Sequence, residues 1–249
     1  PVLKLSNSEY LLISLNFYSN IMFDGMFWAL KTQYCKLKPK KDFFNLMSKE
    51  FMENKVLRYI VKSMIGNKRI CWYGDDVFKP DAPSPDMSVR TRHNLYMFEM
   101  KDLHVPKEVA DGHDISKLID YVDINLDHPK DDNDGDKGIP QLIRDMEDYF
   151  CGKFPNKKDF HKQNVKIHPI LVVSDRIVSI RGFNRMMQDR MSSRVNNSQI
   201  LSARRKEIDH LLVIDIDMLI ICAVVAHHNF AYFSYMLNSY FRNVLKSED

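Results

Sequence analysis

Residues 95–101 read Leu-Tyr-Met-Phe-Glu-Met-Lys, a short apolar run that ends in a glutamate and a lysine. An apolar run of this length, bounded by polar turn residues, predicts a buried β-strand. Pro85-Asp86 lies before it and opens a second short strand, predicted over residues 87–90, with a polar turn over residues 91–94 between the two. The pattern therefore predicts a β-hairpin that carries Asp86, Glu99 and Lys101 near the ends of its strands.

Side chains alternate across a strand, so Glu99 and Lys101 are expected on the same face, and hairpin pairing brings Asp86 to the same patch. Two carboxylates sharing a patch repel each other, and removing each from water is costly. A hard divalent cation relieves that cost, and carboxylate oxygens suit Mg²⁺ or Mn²⁺. Lys101 would then hold the attacking water or help to deprotonate it, which is the outline of metal-assisted phosphodiester hydrolysis.

Pro85-Asp86 followed by Glu99-x-Lys101 resembles the signature of the PD-(D/E)xK, or restriction-endonuclease-like, nuclease superfamily. Residues 138–142 (Gly-Ile-Pro-Gln-Leu) and 169–175 (Pro-Ile-Leu-Val-Val-Ser-Asp) resemble segments of uncharacterised Bacteroidetes members, and the resemblance spans about residues 45–220. It implies an α/β fold with a central mixed sheet flanked by helices, Asp86 and Glu99 as metal ligands, Mg²⁺ or Mn²⁺ as cofactor, and DNA as the favoured nucleic acid partner.

The same resemblance implies two further site residues on helices. Glu53 is expected on the first core helix as a third metal ligand and catalytic residue, with Glu50 as the alternative. Gln141 is expected on the second core helix, where it would orient substrate together with Tyr149, two turns later on the same face. An exposed helix charge and a helix-surface glutamine are the simpler interpretations, and both stay open at this point.

Periodicity and turn signals divide the chain into a helical N-terminal extension, residues 1–40, and a nuclease-like domain, residues 41–249. A capping box of Ser6 and Glu9 predicts that the first helix begins near residue 7. A second helix is predicted over residues 42–65, ending at Gly66. The later predictions are a mobile acidic insertion at about 102–137, a helix through residues 141–150, strands over 165–173 and 210–216, and a closing helix over 217–245.

Charge is unevenly placed although the net charge is only +3. Residues 101–150 hold six Lys and Arg against fourteen Asp and Glu, whereas residues 151–210 hold thirteen against five. The basic segment is rich in arginines, which match phosphate oxygens well: Arg176, Arg181, Arg185, Arg190, Arg194, Arg204 and Arg205. A surface that follows a nucleic acid backbone and a merely solvated surface are both compatible with this pattern.

Composition excludes several classes of protein. Four cysteines lack the C-x-x-C spacing of a zinc site, and no secretory signal pattern opens the chain, so a cytoplasmic protein is expected. The longest apolar run, residues 211–226, is interrupted by Asp215 and Asp217 and is too short to cross a membrane. The sequence does not indicate an oligomeric state. Beside a nuclease, it leaves open a catalytically silent nuclease-fold module that binds nucleic acid or a partner protein.

Overall fold

The computed structural model describes residues 2–12, 15–39, 42–66, 70–73, 84–103, 105–110, 114–128, 136–153, 165–175 and 182–245. The chain forms two compact units, residues 1–50 and residues 51–249. None of the helices in these ranges is long and apolar enough to span a membrane.

The first unit begins with a β-hairpin rather than a helix. Strands β1, Val2–Lys4, and β2, Tyr10–Leu12, pair antiparallel. The backbone N–H of Leu5 donates to the carbonyl of Glu9 (2.9 Å), so the predicted capping box is wrong and its residues form the hairpin turn instead. The first helix, α1, begins only at residue 15 and covers Leu15–Leu37.

Aromatic rings pack within this unit. The short helix α2, Phe43–Asn45, brings Phe43 against Phe27 and Tyr34, with ring centroids 5.3 and 5.5 Å apart. Trp28 stays 48% exposed. Phe27 and Tyr34 of α1 thus pack against the buried Phe43, whereas Trp28 is largely exposed.

The helix predicted over residues 42–65 is three consecutive segments. After α2, Leu46–Leu57 is π-helical and continues into α3, Arg58–Ile65. The apolar face of α3 buries Val61 and Met64 completely. Gly66 ends the helix with φ of 60°, as the sequence predicts, because this backbone conformation favours glycine.

A five-stranded mixed sheet forms the centre of the second unit. Its strand order is β3-β4-β5-β6-β7, with β3, β4 and β5 antiparallel and β5, β6 and β7 parallel. The strands are Ile70–Tyr73, Met87–Arg90, Asn94–Lys101, Lys166–Val173 and Leu212–Asp215. The predicted α/β class with a mixed sheet is confirmed.

Helices cover both faces of the sheet. The remaining helices are α4 (Lys107–Ala110), α5 (Ile115–Leu126), α6 (Ile139–Phe150), α7 (Phe183–Asn197), α8 (Gln199–Ala203), α9 (Ile216–Val225) and α10 (Phe230–Tyr240). Leu95 and Met97 of β5 pack with α5, α6 and α7 on one face, whereas Tyr96 and Phe98 pack with α3, α9 and α10 on the other. Because side chains alternate, Glu99 and Lys101 belong to the face covered by α6.

The segment predicted as a mobile acidic insertion contains ordered helix. Within residues 102–137, α5 buries Val122 and Leu126 in the core. Its N-cap is Asp114, whose carboxylate accepts from the N–H of Ser116. This helix was not predicted because acidic residues crowd the segment around it and because Ile115 and Ile124 are apolar but exposed, which obscures the buried stripe. The most acidic part, residues 131–135, lies outside the described residues.

The closing helix predicted over residues 217–245 is two helices with a break at residues 226–229. His228 has a positive φ of 55°, which an α-helix does not accommodate. Asn229 then caps α10, its side chain accepting from the N–H of Tyr232. His227 and His228, predicted within a helix, therefore lie in the turn between α9 and α10.

Gly138 allows the start of α6 to approach the end of α5 closely. Its φ is 65°, and a Cβ added there would lie 2.1 Å from the carbonyl oxygen of Leu126, the last residue of α5. Only glycine combines this backbone conformation with such a close approach. The start of α6, which carries Gln141, is thereby held against the end of α5.

Candidate active site

The β4–β5 hairpin brings Asp86 beside Glu99. Met87 pairs with Phe98 in the antiparallel register, so the preceding residue, Asp86, comes opposite Glu99. Oδ2 of Asp86 accepts a 2.7 Å hydrogen bond from the backbone N–H of Met100. This bond ties the carboxylate to the end of β5, at the place where the sequence predicts the site.

Glu99 is completely buried. Its Oε1 accepts a 2.7 Å hydrogen bond from Nζ of Lys101, whereas its Oε2 has no hydrogen-bond partner. Burial raises the pKa of Glu99 well above its usual range, and the neighbouring Asp86 carboxylate raises it further. The carboxyl group is therefore held where its charged form lacks full compensation.

Lys101 connects the hairpin to α6. Its ammonium donates to Glu99 and also to Oε1 of Gln141, at 3.0 Å. Burial opposes its charge, but the carboxylates of Glu99 and Asp86 outweigh burial and raise the pKa of Lys101 to about 12. Lys101 thus stays protonated at neutral pH, which favours holding a water or phosphate oxygen over deprotonating it.

Asp145 is a site residue that the sequence analysis missed. It lies one turn after Gln141 on α6, is 1% exposed, and neither carboxylate oxygen has a hydrogen-bond partner. Burial raises the pKa of Asp145 to about 8, and Asp86 adds to the rise although Arg144 opposes it. The available signal was an acidic residue on the apolar face of an amphipathic helix, flanked by the buried Leu142 and Met146.

Glu53 lies near Lys101, whereas Tyr149 lies near Arg90. Glu53 is half-buried in the π-helical segment and raises the pKa of Lys101, so it is near enough to act on the ammonium; Glu50 is exposed. Tyr149 instead has Arg90 as its neighbour, and Arg90 pairs with Leu95 at the other end of β5. Tyr149 lies about 12 Å along α6 from Gln141, so its role in orienting substrate stays a prediction.

Two arginines of the arginine-rich segment pair with the acidic segment. Arg190 pairs with Asp123 and Arg194 with Asp127, so that α7 and α5 are joined by two ion pairs. Arg204 pairs with Glu207 at 2.9 Å. Arg176 and Arg181 lie outside the described residues. The uneven charge of the sequence is therefore explained in part by contact between the two segments.

The side chains of the site are of the type that binds a hard divalent cation, but they are not arranged around one point. Asp86, Glu99 and Asp145 place three carboxyl groups near the ammonium of Lys101. Three of their buried oxygens have no hydrogen-bond partner, namely Oε2 of Glu99 and both carboxylate oxygens of Asp145. Carboxylate oxygens without partners are suitable ligands for Mg²⁺ or Mn²⁺. However, no three His, Cys, Asp or Glu side chains of the described residues converge on one point closely enough to chelate an ion.

Comparisons of this chain with known protein families, curated proteins and solved structures give no match.

Proposed function

We propose that this chain is a metal-dependent nuclease of the PD-(D/E)xK type that hydrolyses phosphodiester bonds, with DNA as its substrate. The observation that carries the proposal is the 2.7 Å pairing of Lys101 with Glu99, beside Asp86, where carboxyl groups outnumber ammonium groups. The mixed sheet with helices on both faces supports a restriction-endonuclease-like core. A purely structural site has no need to bring acidic side chains together inside the protein.

Asp86 and Glu99, with Glu53 as the third residue, would hold the cation, Mg²⁺ or Mn²⁺. When bound, the cation supplies Lewis-acid polarisation of the phosphate and a water with a lowered pKa. Asp86 is oriented for this role because the N–H of Met100 already occupies its Oδ2. The donor set consists only of oxygen atoms, which suits these hard cations and disfavours soft ones.

Lys101 would act as a fixed cationic donor. An ammonium has three N–H donors, and two are used by Glu99 and Gln141. The third is directed by these two bonds and is available to a water or phosphate oxygen. A charged donor held in this way stabilises the negative charge that develops on the phosphate in the transition state.

A cleavage assay tests the proposal. Purified protein is incubated with single- and double-stranded DNA and RNA in Mg²⁺, Mn²⁺ or EDTA, and Glu99→Gln is compared with the unaltered chain. We expect cation-dependent cleavage that falls about 100-fold or more in Glu99→Gln, the size of effect seen when one electrostatic contact to a transition state is removed.

Glu147→Gln is the matched control, because Glu147 lies on α6 and accepts from Ser198 rather than from the site. It should cleave like the unaltered chain. Equal rates for Glu99→Gln and the unaltered chain contradict the proposal. If no substrate is cleaved but nucleic acid still binds, the silent nuclease-fold module is the better explanation.

A further inference from the structure

We propose that Asp145 is an additional ligand of the divalent cation, delivered from helix α6 and outside the Asp86, Glu99 and Lys101 signature. This inference rests on the proposed function for the presence of a cation site and deepens it by naming a further ligand. It starts from the condition of the Asp145 carboxyl group, which is 1% exposed with both oxygens lacking a hydrogen-bond partner. The nearest cationic group, NH2 of Arg144, is 3.9 Å from Oδ1, beyond hydrogen-bond distance.

Other buried acids in the described part of the chain are compensated. Asp215 accepts a 2.8 Å hydrogen bond from the N–H of Met218 and caps α9. Asp209 is ion-paired with Lys166 at 2.9 Å and lies 3.1 Å from His168. Glu99 and Asp145 are less fully compensated, because Lys101 reaches only Oε1 of Glu99 and Arg144 lies 3.9 Å from Oδ1 of Asp145. Oε2 of Glu99 and both carboxylate oxygens of Asp145 lack a hydrogen-bond partner. Buried carboxylates normally have such partners, and a bound cation would satisfy both groups together.

Glu99 and Asp145 lie on neighbouring elements, at the end of β5 and on helix α6. Gln141 and Asp145 are four residues apart on α6 and therefore lie on one face of it. Gln141 hydrogen-bonds the ammonium of Lys101, which fixes that face over the end of β5. Asp145 acts electrostatically on Glu99 and is itself influenced by Asp86 and Lys101. Asp145 is thus close enough to the Asp86 and Glu99 pair to act on the same charges.

A divalent cation accounts for these observations better than a proton. A proton would neutralise Asp145 but leave the oxygens of Glu99 and Asp145 without partners. A hard cation supplies both charge and coordination to all of them. The three carboxylates do not yet surround one point in the described residues, so binding requires their side chains to rotate inward.

The test is Mn²⁺ binding measured by calorimetry and electron paramagnetic resonance on the full chain, without any nucleic acid. We expect the unaltered chain to bind Mn²⁺, and Asp145→Asn to bind it at least about tenfold more weakly, because loss of even an outer-shell partner has an effect of that size. Glu147→Gln is the matched control, since Glu147 lies on the same helix and accepts a hydrogen bond from Ser198. It should bind Mn²⁺ like the unaltered chain.

A second measurement separates ligation from a structural role. In EDTA at pH 8, Asp145→Asn should unfold at a higher temperature than the unaltered chain, because asparagine requires neither a buried charge nor proton uptake on folding. Loss of a structural hydrogen bond would give the opposite shift. Unchanged Mn²⁺ affinity in Asp145→Asn, or no binding by the unaltered chain, overturns the inference. If Asp145→Asn loses Mn²⁺ binding but the unaltered chain cleaves no nucleic acid, Asp145 is supported as a ligand and the nuclease function is rejected. If Asp145→Asn binds Mn²⁺ normally and cleaves nucleic acid, the nuclease function is supported and Asp145 is rejected as a ligand.

Discussion

The ammonium of Lys101 donates a 3.0 Å hydrogen bond to the side chain of Gln141, forty residues later in the chain. This bond joins the edge of the site on β5 to the helix that covers it. It explains how two segments with no local relationship in sequence act on the same group. Gln141 is therefore a positioning residue in the proposed site.

Gln141→Leu should leave the fold intact and slow cleavage about 10- to 100-fold, because a hydrogen bond to a charged group contributes about 1.5–3 kcal/mol. Gln141→Glu keeps an acceptor for Lys101 and should retain more activity. Single-turnover cleavage rates at saturating Mn²⁺ make the comparison. If Gln141→Leu cleaves as fast as the unaltered chain, the lysine does not need this partner.

Gly138→Ala should destabilise the second unit by about 3 kcal/mol or more, since strained backbone and a clash with the Leu126 carbonyl act together. Gly182→Ala is its control: φ is +87° there but a Cβ would meet nothing within 4 Å. Strain alone should cost about 1–2 kcal/mol at Gly182. Urea unfolding of both variants gives the two values, and similar losses would contradict the close approach at Gly138.

The pKa of Asp145 gives the cation-free protein a particular pH dependence. Its folded value of about 8 lies above the unfolded value of about 3.9, so the folded state binds the proton more tightly. Stability is then fully present below about pH 4 and is lost as pH rises towards about 8. In EDTA, Asp145→Asn should unfold at higher urea concentration than the unaltered chain at pH 8, with the difference nearly absent at pH 4. A constant difference at both pH values would contradict the assignment.

Asp209 should show the opposite pH dependence. Burial raises its pKa, but His168 and Lys166 outweigh burial and hold the pKa of Asp209 well below its usual range. The stability it contributes is present above the unfolded pKa of about 3.9 and is lost as pH falls towards the folded value. Asp209→Asn should therefore destabilise the fold by about 3–5 kcal/mol at pH 7, as expected for breaking a buried pair, and by less at pH 3. Unfolding free energies at the two pH values test this; equal losses would exclude the ion pairs as the cause.

Much of the sheet could be predicted from the sequence. Strands β4, β5, β6 and β7 lie where apolar runs and turn residues indicate them, since a strand buried on both faces has a simple pattern. The proximity of Lys101 and Glu99 follows from the alternation of side chains alone. The contact with Gln141 is compatible with the position that the family resemblance assigned to this residue.

The predictions that failed, at the N-terminus, at helix α5 and at Asp145, did so for physical reasons. Ser6 and Glu9 satisfy a capping pattern, yet the same polar residues suit a hairpin turn, and strand pairing prevails there. Helix α5 was missed because acidic residues crowd the segment around it, although Asp123 and Asp127 are used to pair with α7. Asp145 was missed because local patterns do not show that an acidic residue lacks a partner. That requires the positions of β5 and α6 together.

The most direct test of the nuclease account compares Lys101→Met with Lys166→Met. Both lysines are paired with buried acids of the second unit, but Lys166 lies opposite Asn94, about 23 Å along the strands from Lys101. With Mn²⁺ and the preferred DNA or RNA substrate, we expect Lys101→Met to cleave at least about 100-fold more slowly than the unaltered chain and Lys166→Met to keep its rate. Equal cleavage rates for the two variants would contradict the account.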